Sequence, residues 1–345
     1  MIEFSLFNLM GFRARDAQVR DILADTVALV QHAEDRGFDA AWFAEHHFSN
    51  YCISPSPLLM VSYCAGLTTR IHLGPAVVVV PLYQPVRLLE DIGMVAALCG
   101  DRLRLGIGSG YQPFEFDRFG AELDHSKPAL DEFIQLMDAA YTSETFTFKG
   151  RFTNLAETSI TTRPPQLLPI WIAGDSEETH RLAARRGYTP IITGRGSGPD
   201  YLGDMRARID SSYAAEGYSA DDHPLGILRF ACVTENASET EAYLENVRYQ
   251  LRLAGALRNR NEAMDRGMMV ESAIPGEPSL EDLAKSLPVG DSETVAERLC
   301  ADIKASGASH VMLNIQAGAS TMAQARRTID AFASDIRPAI ARALQ

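Results

Sequence analysis

The sequence predicts an α/β fold, a (β/α)8 TIM barrel with insertions, formed as a single domain over residues 1–345. Short apolar runs alternate with longer segments of helical periodicity, and eight such repeats indicate parallel strands joined by helices. The run at 71–80 is rich in β-branched residues and apolar on both faces, as in a strand that is covered on both sides. An open doubly wound sheet is the alternative, and eight repeats favour the closed barrel.

The strands are predicted where short apolar runs are bounded by polar residues or turn residues. They cover 2–9, 39–43, 71–80, 102–108, 169–174, 189–193, 225–233 and 310–316. The first helix is predicted where Leu23, Val27 and Val30 recur at helical spacing, and Gly37 ends it. The helices cover 19–36, 56–65, 85–99, 126–141, 177–186, about 200–216, 292–305, and a last segment from about 322.

Two insertions interrupt this alternation. The run TFTFKGRFTNL alternates around Lys149-Gly150 and predicts a hairpin insertion near 144–160. A long polar stretch near 238–287 predicts a mainly helical insertion. No linker, low-complexity tract or close repeat divides the chain.

Composition limits the possible functions. The chain has 45 acidic and 32 basic residues, a formal charge of −13, and no Lys/Arg-rich block, which argues against nucleic-acid binding and attraction to an anionic membrane. The five cysteines are scattered without a Cys-x-x-Cys pair, as in a reduced protein without a zinc or disulfide framework. The N-terminus has no secretory signal pattern and no apolar run is long enough to span a bilayer. We therefore expect a cytoplasmic protein.

Functional side chains of such a barrel lie where the strands end, on its C-terminal face. The segment AEHHF, with Glu45, His46 and His47, follows the second strand. The histidines can cap a loop, bind a metal or transfer protons. Adjacent residues of an extended segment point in opposite directions, so both seldom bind one ion, and no His-x-x-x-His spacing is present. We predict that one histidine faces the barrel mouth as acid, base or hydrogen-bond donor, without a metal.

The segment AGDSEET begins the helix after the fifth strand. Asp175 and Glu178 have the spacing of a capping box. The same turn exposes the backbone N–H groups of Gly174, Asp175 and Ser176 at the positive end of the helix dipole. A phosphate can bind there with help from the hydroxyls of Ser176 and Thr179, although an inward-pointing Asp175 would oppose it.

The loop after the fourth strand reads GIGSGYQPFEF. Gly106, Gly108 and Gly110 miss the Gly-x-Gly-x-x-Gly dinucleotide fingerprint by one position, and the loop does not open a helix directly. It is either a flexible loop or a surface of small residues against which a flat ligand lies. The aromatic side chains of Tyr83, Tyr111 and Phe114 suggest an apolar or aromatic lining, or plain core.

The chain resembles the bacterial luciferase-like flavin-dependent monooxygenases in several segments that occur in the same order. These are GFDAAWFAEHHF, VVVVPLYQPVRLLEDI, GDRLRLGIGSGYQPFEFDRFG and AGDSEETHRLAARRG. The resemblance covers about residues 1–195 clearly, and the last third agrees only in general layout. It implies a (β/α)8 barrel that uses reduced FMN and dioxygen to oxidise a small organic substrate through a peroxyflavin intermediate, which the pocket keeps dry.

The resemblance also implies roles for particular residues. His46 matches the family's catalytic histidine, an acid/base beside the flavin, and Glu45 and His47 match its neighbours. Ala76 and Val77 match the site of a non-prolyl cis peptide bond beneath the flavin ring.

Ser176 and Thr179 fall on the family's phosphate-binding turn. The loop after the fourth strand departs from the luciferase α subunit, because Gly108-Ser109 stands where that subunit has Cys-Arg, and the arginine contacts the phosphate. Arg195, after the sixth strand, is a candidate substitute or simply a surface arginine.

The partners follow from the same resemblance. The chain has no convincing nicotinamide-binding domain, so a separate flavin reductase is expected to supply reduced FMN, and a homodimer is expected from the resemblance alone. One alternative is a hydride-transfer enzyme that uses a deazaflavin in place of FMN. Others are a non-catalytic flavin-binding partner subunit and, more distantly, a metal-dependent barrel hydrolase.

Overall fold

The computed structural model describes residues 2–344. Its strands are β1 (Glu3–Asn8), β2 (Ala40–Phe43), β3 (His72–Pro75), β4 (Val78–Val79), β5 (Leu105–Gly108), β6 (Phe146–Lys149), β7 (Asn154–Thr158), β8 (Ile170–Ala173), β9 (Thr189–Thr193), β10 (Gly226–Phe230), β11 (Cys232–Val233), β12 (Met264–Asp265), β13 (Met268–Met269), β14 (Val289–Gly290) and β15 (His310–Asn314). Its α-helices are α1 (Val19–Asp35), α2 (Pro57–Ala65), α3 (Pro85–Cys99), α4 (Pro113–Phe119), α5 (Ser126–Thr142), α6 (Glu177–Arg186), α7 (Pro199–Ala215), α8 (Ala237–Arg258), α9 (Leu280–Ser286), α10 (Ser292–Ser306), α11 (Met322–Ala331) and α12 (Arg337–Ala343).

Nine of these strands form one parallel sheet in the order β3-β2-β1-β15-β10-β9-β8-β5-β4. The first and last of them, β3 and β4, are two halves of the same chain segment, so the sheet returns to its beginning. A parallel bridge between Leu73 and Leu103 joins β3 to the residues just before β5, and the N–H of Arg104 donates to the carbonyl of Leu73 at 3.0 Å. The predicted (β/α)8 barrel is confirmed.

Three strands differ most from their predicted bounds. The run 71–80 is interrupted between β3 and β4, where the peptide bond Ala76–Val77 is cis. The fourth strand begins at Leu105 because Arg102 lies in a 3-10 turn, and its guanidinium donates to the carbonyl of Ala65 at 2.9 Å. The seventh strand ends at Phe230, and β11 pairs with β14 outside the barrel sheet. Apolar composition predicts burial at these positions, but not which partner the backbone pairs with.

Large side chains fill the barrel interior. Trp42 and Trp171 are buried with ring centroids 4.8 Å apart, and Met312 packs in the same cluster. Aromatic burial of this kind provides a large share of core stability. Strands β3 and β5 approach closely at Gly106, which has no side chain. A Cβ there would lie 2.1 Å from the carbonyl oxygen of Pro75.

The residues of the two predicted insertions form separate small structures. Strands β6 and β7 pair antiparallel as a hairpin, whose tip is held by the buried carboxylate of Glu132 through the N–H groups of Arg151, Phe152 and Thr153. The second segment contains α8, the short β12–β13 ladder and α9.

The second insertion packs on the loop that follows β2. Asn50 in that loop is buried, its amide donates to the hydroxyl of Tyr249 on α8 at 2.5 Å, and its carbonyl oxygen accepts from the N–H of Met269 at 2.8 Å. This joint brings the insertion to the C-terminal face of the barrel. Among residues 2–344, no helix combines the length and apolar character needed to cross a membrane.

Candidate active site

The C-terminal ends of β2, β4 and β5 bring together the residues that the sequence singles out. Glu45, His46 and His47 follow β2, Ala76 and Val77 separate β3 from β4, and Gly108 ends β5. The strands of a parallel barrel all end at the same face, so these segments surround one opening, the mouth of the barrel.

Glu45 is a buried carboxylate with three hydrogen-bond partners. Its Oε1 lies 3.0 Å from the Nε2 of His47, and its Oε2 accepts from the N–H of Val79 at 3.0 Å and from the hydroxyl of Tyr83 at 2.9 Å. Burial raises the pKa of Glu45, and the hydrogen bonds from these partners oppose that rise. The carboxylate therefore ties the loop after β2 to β4, and His47 has a structural partner behind the site.

His46 is held by a second buried carboxylate, that of Glu115 on α4. The Oε1 of Glu115 lies 3.0 Å from the Nδ1 of His46 and accepts from the N–H of His47 at 2.8 Å. Because this Oε1 already accepts from the N–H of His47, it also serves as the acceptor toward His46, which assigns the proton of His46 to Nδ1. Among the described residues the Nε2 of His46 has no hydrogen-bond partner, which leaves it free to accept or donate a proton.

Aromatic rings surround His46. Its ring centroid lies 4.9 Å from that of Tyr51 and 5.8 Å from that of Tyr111, and the second contact is edge-on. The amide of Gln112 donates to the hydroxyl of Tyr111 at 3.0 Å. Burial raises the pKa of the Cys52 thiol to about 12, so this neighbouring cysteine is not a nucleophile. The imidazole of His46 thus lies among aromatic rings at the mouth of the barrel.

The cis bond between Ala76 and Val77 lies beside the glycine loop after β5. A Cβ on Gly108 would come within 2.7 Å of the Cγ2 of Val77, so only glycine leaves this surface open. Ser109 follows with a half-buried side chain. The segment after it is not a loop as the sequence suggests, because α4 begins at Pro113 and carries Glu115.

The turn after β8 begins α6 in a different way from the predicted capping box. Ser176 is the N-cap, and its Oγ accepts from the N–H of Thr179 at 3.3 Å, so Asp175 stands one residue before the cap. Gly174 has a φ of 156°, and a Cβ there would lie 2.9 Å from the Oγ1 of Thr179. The N–H groups of Asp175, Ser176 and Glu177 donate to no acceptor within residues 2–344. They remain available for an anion.

Two cations reach this turn, and each is paired with an acid. The Nη2 of Arg195 lies 2.6 Å from the Oδ2 of Asp175, and the Nζ of Lys127 lies 3.0 Å from the Oε2 of Glu178. Arg195 has a φ of 50°. Because Asp175 is paired with Arg195, the positive charge of Arg195 offsets the repulsion between Asp175 and a bound anion.

The described residues contain no group of three or more His, Cys, Asp or Glu side chains placed to hold a metal ion. Sequence reasoning missed Glu115, Lys127 and the hydrogen bond from Tyr83. Glu115 lies in the run PFEFDRF, which forms α4. The proline at the first position of this helix is a helix-start signal that could have indicated it.

The fold is an α/β barrel whose polar groups converge on the C-terminal mouth. A family profile described as "Luciferase-like monooxygenase" matches residues 2–310. The chain therefore belongs to the family of luciferase-like flavin monooxygenases, as the sequence resemblance indicates.

Two curated relatives extend this finding. The uncharacterised protein y4vJ of Sinorhizobium fredii is 36% identical over 346 residues, covering 99% of each chain. The oxygenase component of the flavin-dependent trigonelline monooxygenase of Acinetobacter baylyi is 25% identical over 309 residues, covering 86% of this chain and 85% of that one.

Solved structures share the fold. Monooxygenase RslO1 from Streptomyces bottropensis has a TM-score of 0.83 at 19% identity, covering 98% of this chain and 99% of that one. The oxygenating constituent of 3,6-diketocamphane monooxygenase from Pseudomonas putida, in complex with FMN, has a TM-score of 0.79 at 19% identity and covers 98% of each. An F420-dependent secondary alcohol dehydrogenase has a TM-score of 0.76 at 16% identity, covering 98% and 99%.

Proposed function

We propose that this protein is the oxygenase component of a two-component monooxygenase, which uses reduced FMN and dioxygen to oxidise a small organic substrate. The observation that carries the proposal is the placement of His46. Its Nδ1 is fixed by the buried Glu115, and its ring stands among aromatic side chains at the barrel mouth. This arrangement suits a single proton-transfer group in a water-poor pocket.

The residues of the mouth fit a flavin mononucleotide. A flat ring needs a surface without protruding side chains, and Gly108 beside Val77 leaves such a surface because a Cβ would fill it. A phosphate needs free N–H donors, and the first turn of α6 provides them with the hydroxyls of Ser176 and Thr179. We therefore assign Ala76, Val77, Gly108, Ser109 and Tyr111 to the ring.

The phosphate is assigned to the turn of Gly174, Asp175, Ser176 and Thr179, with Arg195 beside it. When bound, reduced flavin supplies the electrons that activate dioxygen. The protein residues bind and orient the reactants, and the aromatic wall excludes water. His46 holds or moves a proton at Nε2, while Glu45 and His47 stabilise the loop that carries it.

The relatives support the two-component arrangement. The similar trigonelline enzyme is named as an oxygenase component, a term that implies a second component, and the similar diketocamphane structure contains FMN. A flavin reductase as partner is part of the proposal. The five cysteines are buried free thiols, which suits the predicted cytoplasmic location.

A homodimer also belongs to the proposal. Helices α2 and α3 pack side by side and expose large apolar side chains to solvent. These are Leu59 and Tyr63 on α2 and Met94 and Leu98 on α3, and Leu67 in the turn after α2 is exposed as well. Such patches on soluble proteins mark interaction sites.

The second candidate is a deazaflavin-dependent hydride-transfer enzyme, favoured by the likeness to the F420-dependent dehydrogenase. A non-catalytic flavin-binding subunit is a third hypothesis. The hydrogen-bonded His46–Glu115 pair argues against it.

The test of the proposed function compares His46→Ala with the control His125→Ala, whose imidazole is exposed and pairs with Glu122. Reduced FMN is bound anaerobically, oxygenated buffer is mixed in, and reoxidation of the flavin is followed by absorbance. We expect the wild type and His125→Ala to alter the time course relative to free flavin, and His46→Ala to lose that effect. A time course in His46→Ala equal to that of the wild type would contradict the assignment.

A further inference from the structure

Arg258 is a cation without an acidic partner. It is the last residue of α8 and is exposed. The insertion 238–287 has five arginines, and four of them lie within 4.0 Å of a carboxylate: Arg248, Arg252, Arg260 and Arg266. No carboxylate in the described part of the chain lies that close to Arg258. The positive charge of Arg258 is therefore unpaired, whereas each of the other four arginines is paired with a carboxylate.

The guanidinium of Arg258 is nevertheless held in place. Its central carbon lies 4.8 Å from the ring centroid of Tyr111, a cation–π contact. This contact uses none of the guanidinium N–H groups in a hydrogen bond, and these donors have no acceptor among the described residues, so they are free for a bidentate acceptor. Arg258 also lies close to the proposed reaction centre. The ring of Tyr111, which Arg258 contacts, makes an edge-on contact with His46, so a single ring separates Arg258 from His46.

Arg258 also lies close enough to Tyr201 to act on its phenol. Burial raises the pKa of Tyr201 near the start of α7, and Asp175 adds to the rise, whereas Arg195, Arg208 and Arg258 lower it. Arg258 and Arg195 thus act on one phenol, although they come from different elements. Arg195 is neutralised by Asp175, and Arg258 has no such counterpart.

We propose that Arg258 binds an oxyanion at the mouth of the barrel, a carboxylate or phosphate group of a reactant. The inference rests on the proposed function, in which two molecules can bring that group: the flavin through its phosphate, and an organic substrate through a carboxylate. Ser109 provides no cation after β5, so a flavin phosphate would gain a positive partner from the insertion. A carboxylate-bearing substrate would gain a bidentate contact beside His46.

The test uses two ligand pairs that differ in one anionic group. Reduced FMN is compared with reduced riboflavin by anaerobic absorbance titration, and benzoate is compared with benzamide by calorimetric titration of flavin-free protein. The variant is Arg258→Gln, and the matched control is Arg260→Gln, since Arg260 is also exposed but pairs with Asp117. Circular dichroism confirms that both variants are folded.

If the flavin supplies the oxyanion, Arg258→Gln raises the Kd of reduced FMN by about tenfold or more and changes that of riboflavin by less than about twofold. If the substrate supplies it, both flavin constants stay the same and the preference for benzoate over benzamide is lost. In either case Arg260→Gln behaves as the wild type does.

The proposal is overturned if Arg258→Gln keeps the wild-type preference in both pairs, or if the wild type shows no preference in either. A wild type that prefers benzoate but binds neither flavin would contradict the proposed function and leave the oxyanion site standing. The two failures are therefore distinguishable.

Discussion

The buried Glu115 pairs with the partly buried His46, and the Oε1 of the carboxylate lies 3.0 Å from the Nδ1 of the imidazole. The same oxygen accepts from the N–H of His47 at 2.8 Å. One atom of α4 therefore fixes both the ring and the backbone of the loop after β2. This pairing assigns Nδ1 of His46 as the donor and leaves Nε2 without a hydrogen-bond partner among the described residues.

Removal of this acceptor is expected to destabilise the protein. Glu115→Ala leaves two buried N–H groups without a partner, at a cost of about 1–3 kcal/mol each. Glu115→Gln retains one acceptor oxygen, so its free energy of unfolding should fall by less than that of Glu115→Ala. Urea unfolding of both variants measures the difference, and a Glu115→Ala protein as stable as the wild type would refute the role.

Glu45 is expected to make stability depend on pH. Because burial raises its pKa above the ordinary value of 4.5, the folded state binds this proton more tightly than the unfolded state does. The resulting stabilisation is complete below the unfolded pKa and is lost as pH rises through the folded pKa. Glu45→Gln resembles the protonated acid, so it should flatten this part of the curve.

The measurement is the free energy of unfolding in urea between about pH 4 and pH 8, taken for the wild type and Glu45→Gln. Equal slopes in the two proteins would show that Glu45 is not the titrating group.

The phosphate turn is tested with Ser176→Ala. The substitution removes the N-cap acceptor, which costs about 1 kcal/mol of stability, and one hydroxyl from the proposed phosphate site. We expect the Kd of reduced FMN to rise by about tenfold while that of riboflavin stays unchanged. Ser279→Ala removes the N-cap of α9, outside the site, and serves as the control. An equal loss for FMN and riboflavin would argue against a phosphate at this turn.

The proposed ring surface is tested with Gly108→Ala. The added Cβ would lie 2.7 Å from the Cγ2 of Val77, so the surface must shift. Reduced FMN and reduced riboflavin should both bind about tenfold more weakly, because they share the ring. Gly66→Ala is the control, since its Cβ would make an ordinary 3.7 Å contact. Unchanged affinities in Gly108→Ala would place the ring elsewhere.

The apolar face of α2 and α3 is tested with Leu98→Glu. Leu98 is 58% exposed and Leu59 is 70% exposed, so a charge on this face should not disturb the core. Light scattering after size-exclusion chromatography should show a dimer for the wild type and a monomer for the variant. A wild-type monomer would remove the homodimer from the proposal.

The alternation of elements was predictable because it depends on local pattern. The periodicity of α1 and the apolar run of β2 appear in the structure within a residue or two of the predicted bounds. The break between β3 and β4 was not predictable from the apolar run, which continues without interruption through Ala76–Val77 to Val80. Only the family resemblance indicated a cis bond there.

The site shows the same division. His46 stands at the end of a predicted strand, and its position on the C-terminal face follows from the fold class. Its partner Glu115 is 69 residues away along the chain, and no local pattern connects the two. The pairing of Arg195 with Asp175 likewise depends on two loops meeting, since β8 and β9 are neighbours in the ring.

The most direct test of the central claim is an anaerobic titration of the purified wild-type protein with reduced FMN, with a reduced deazaflavin titrated in parallel. We expect saturable binding of reduced FMN at one site per chain, and weaker binding in both Ser176→Ala and Gly108→Ala. Binding of the deazaflavin without binding of reduced FMN would contradict it and make hydride transfer the function of this barrel.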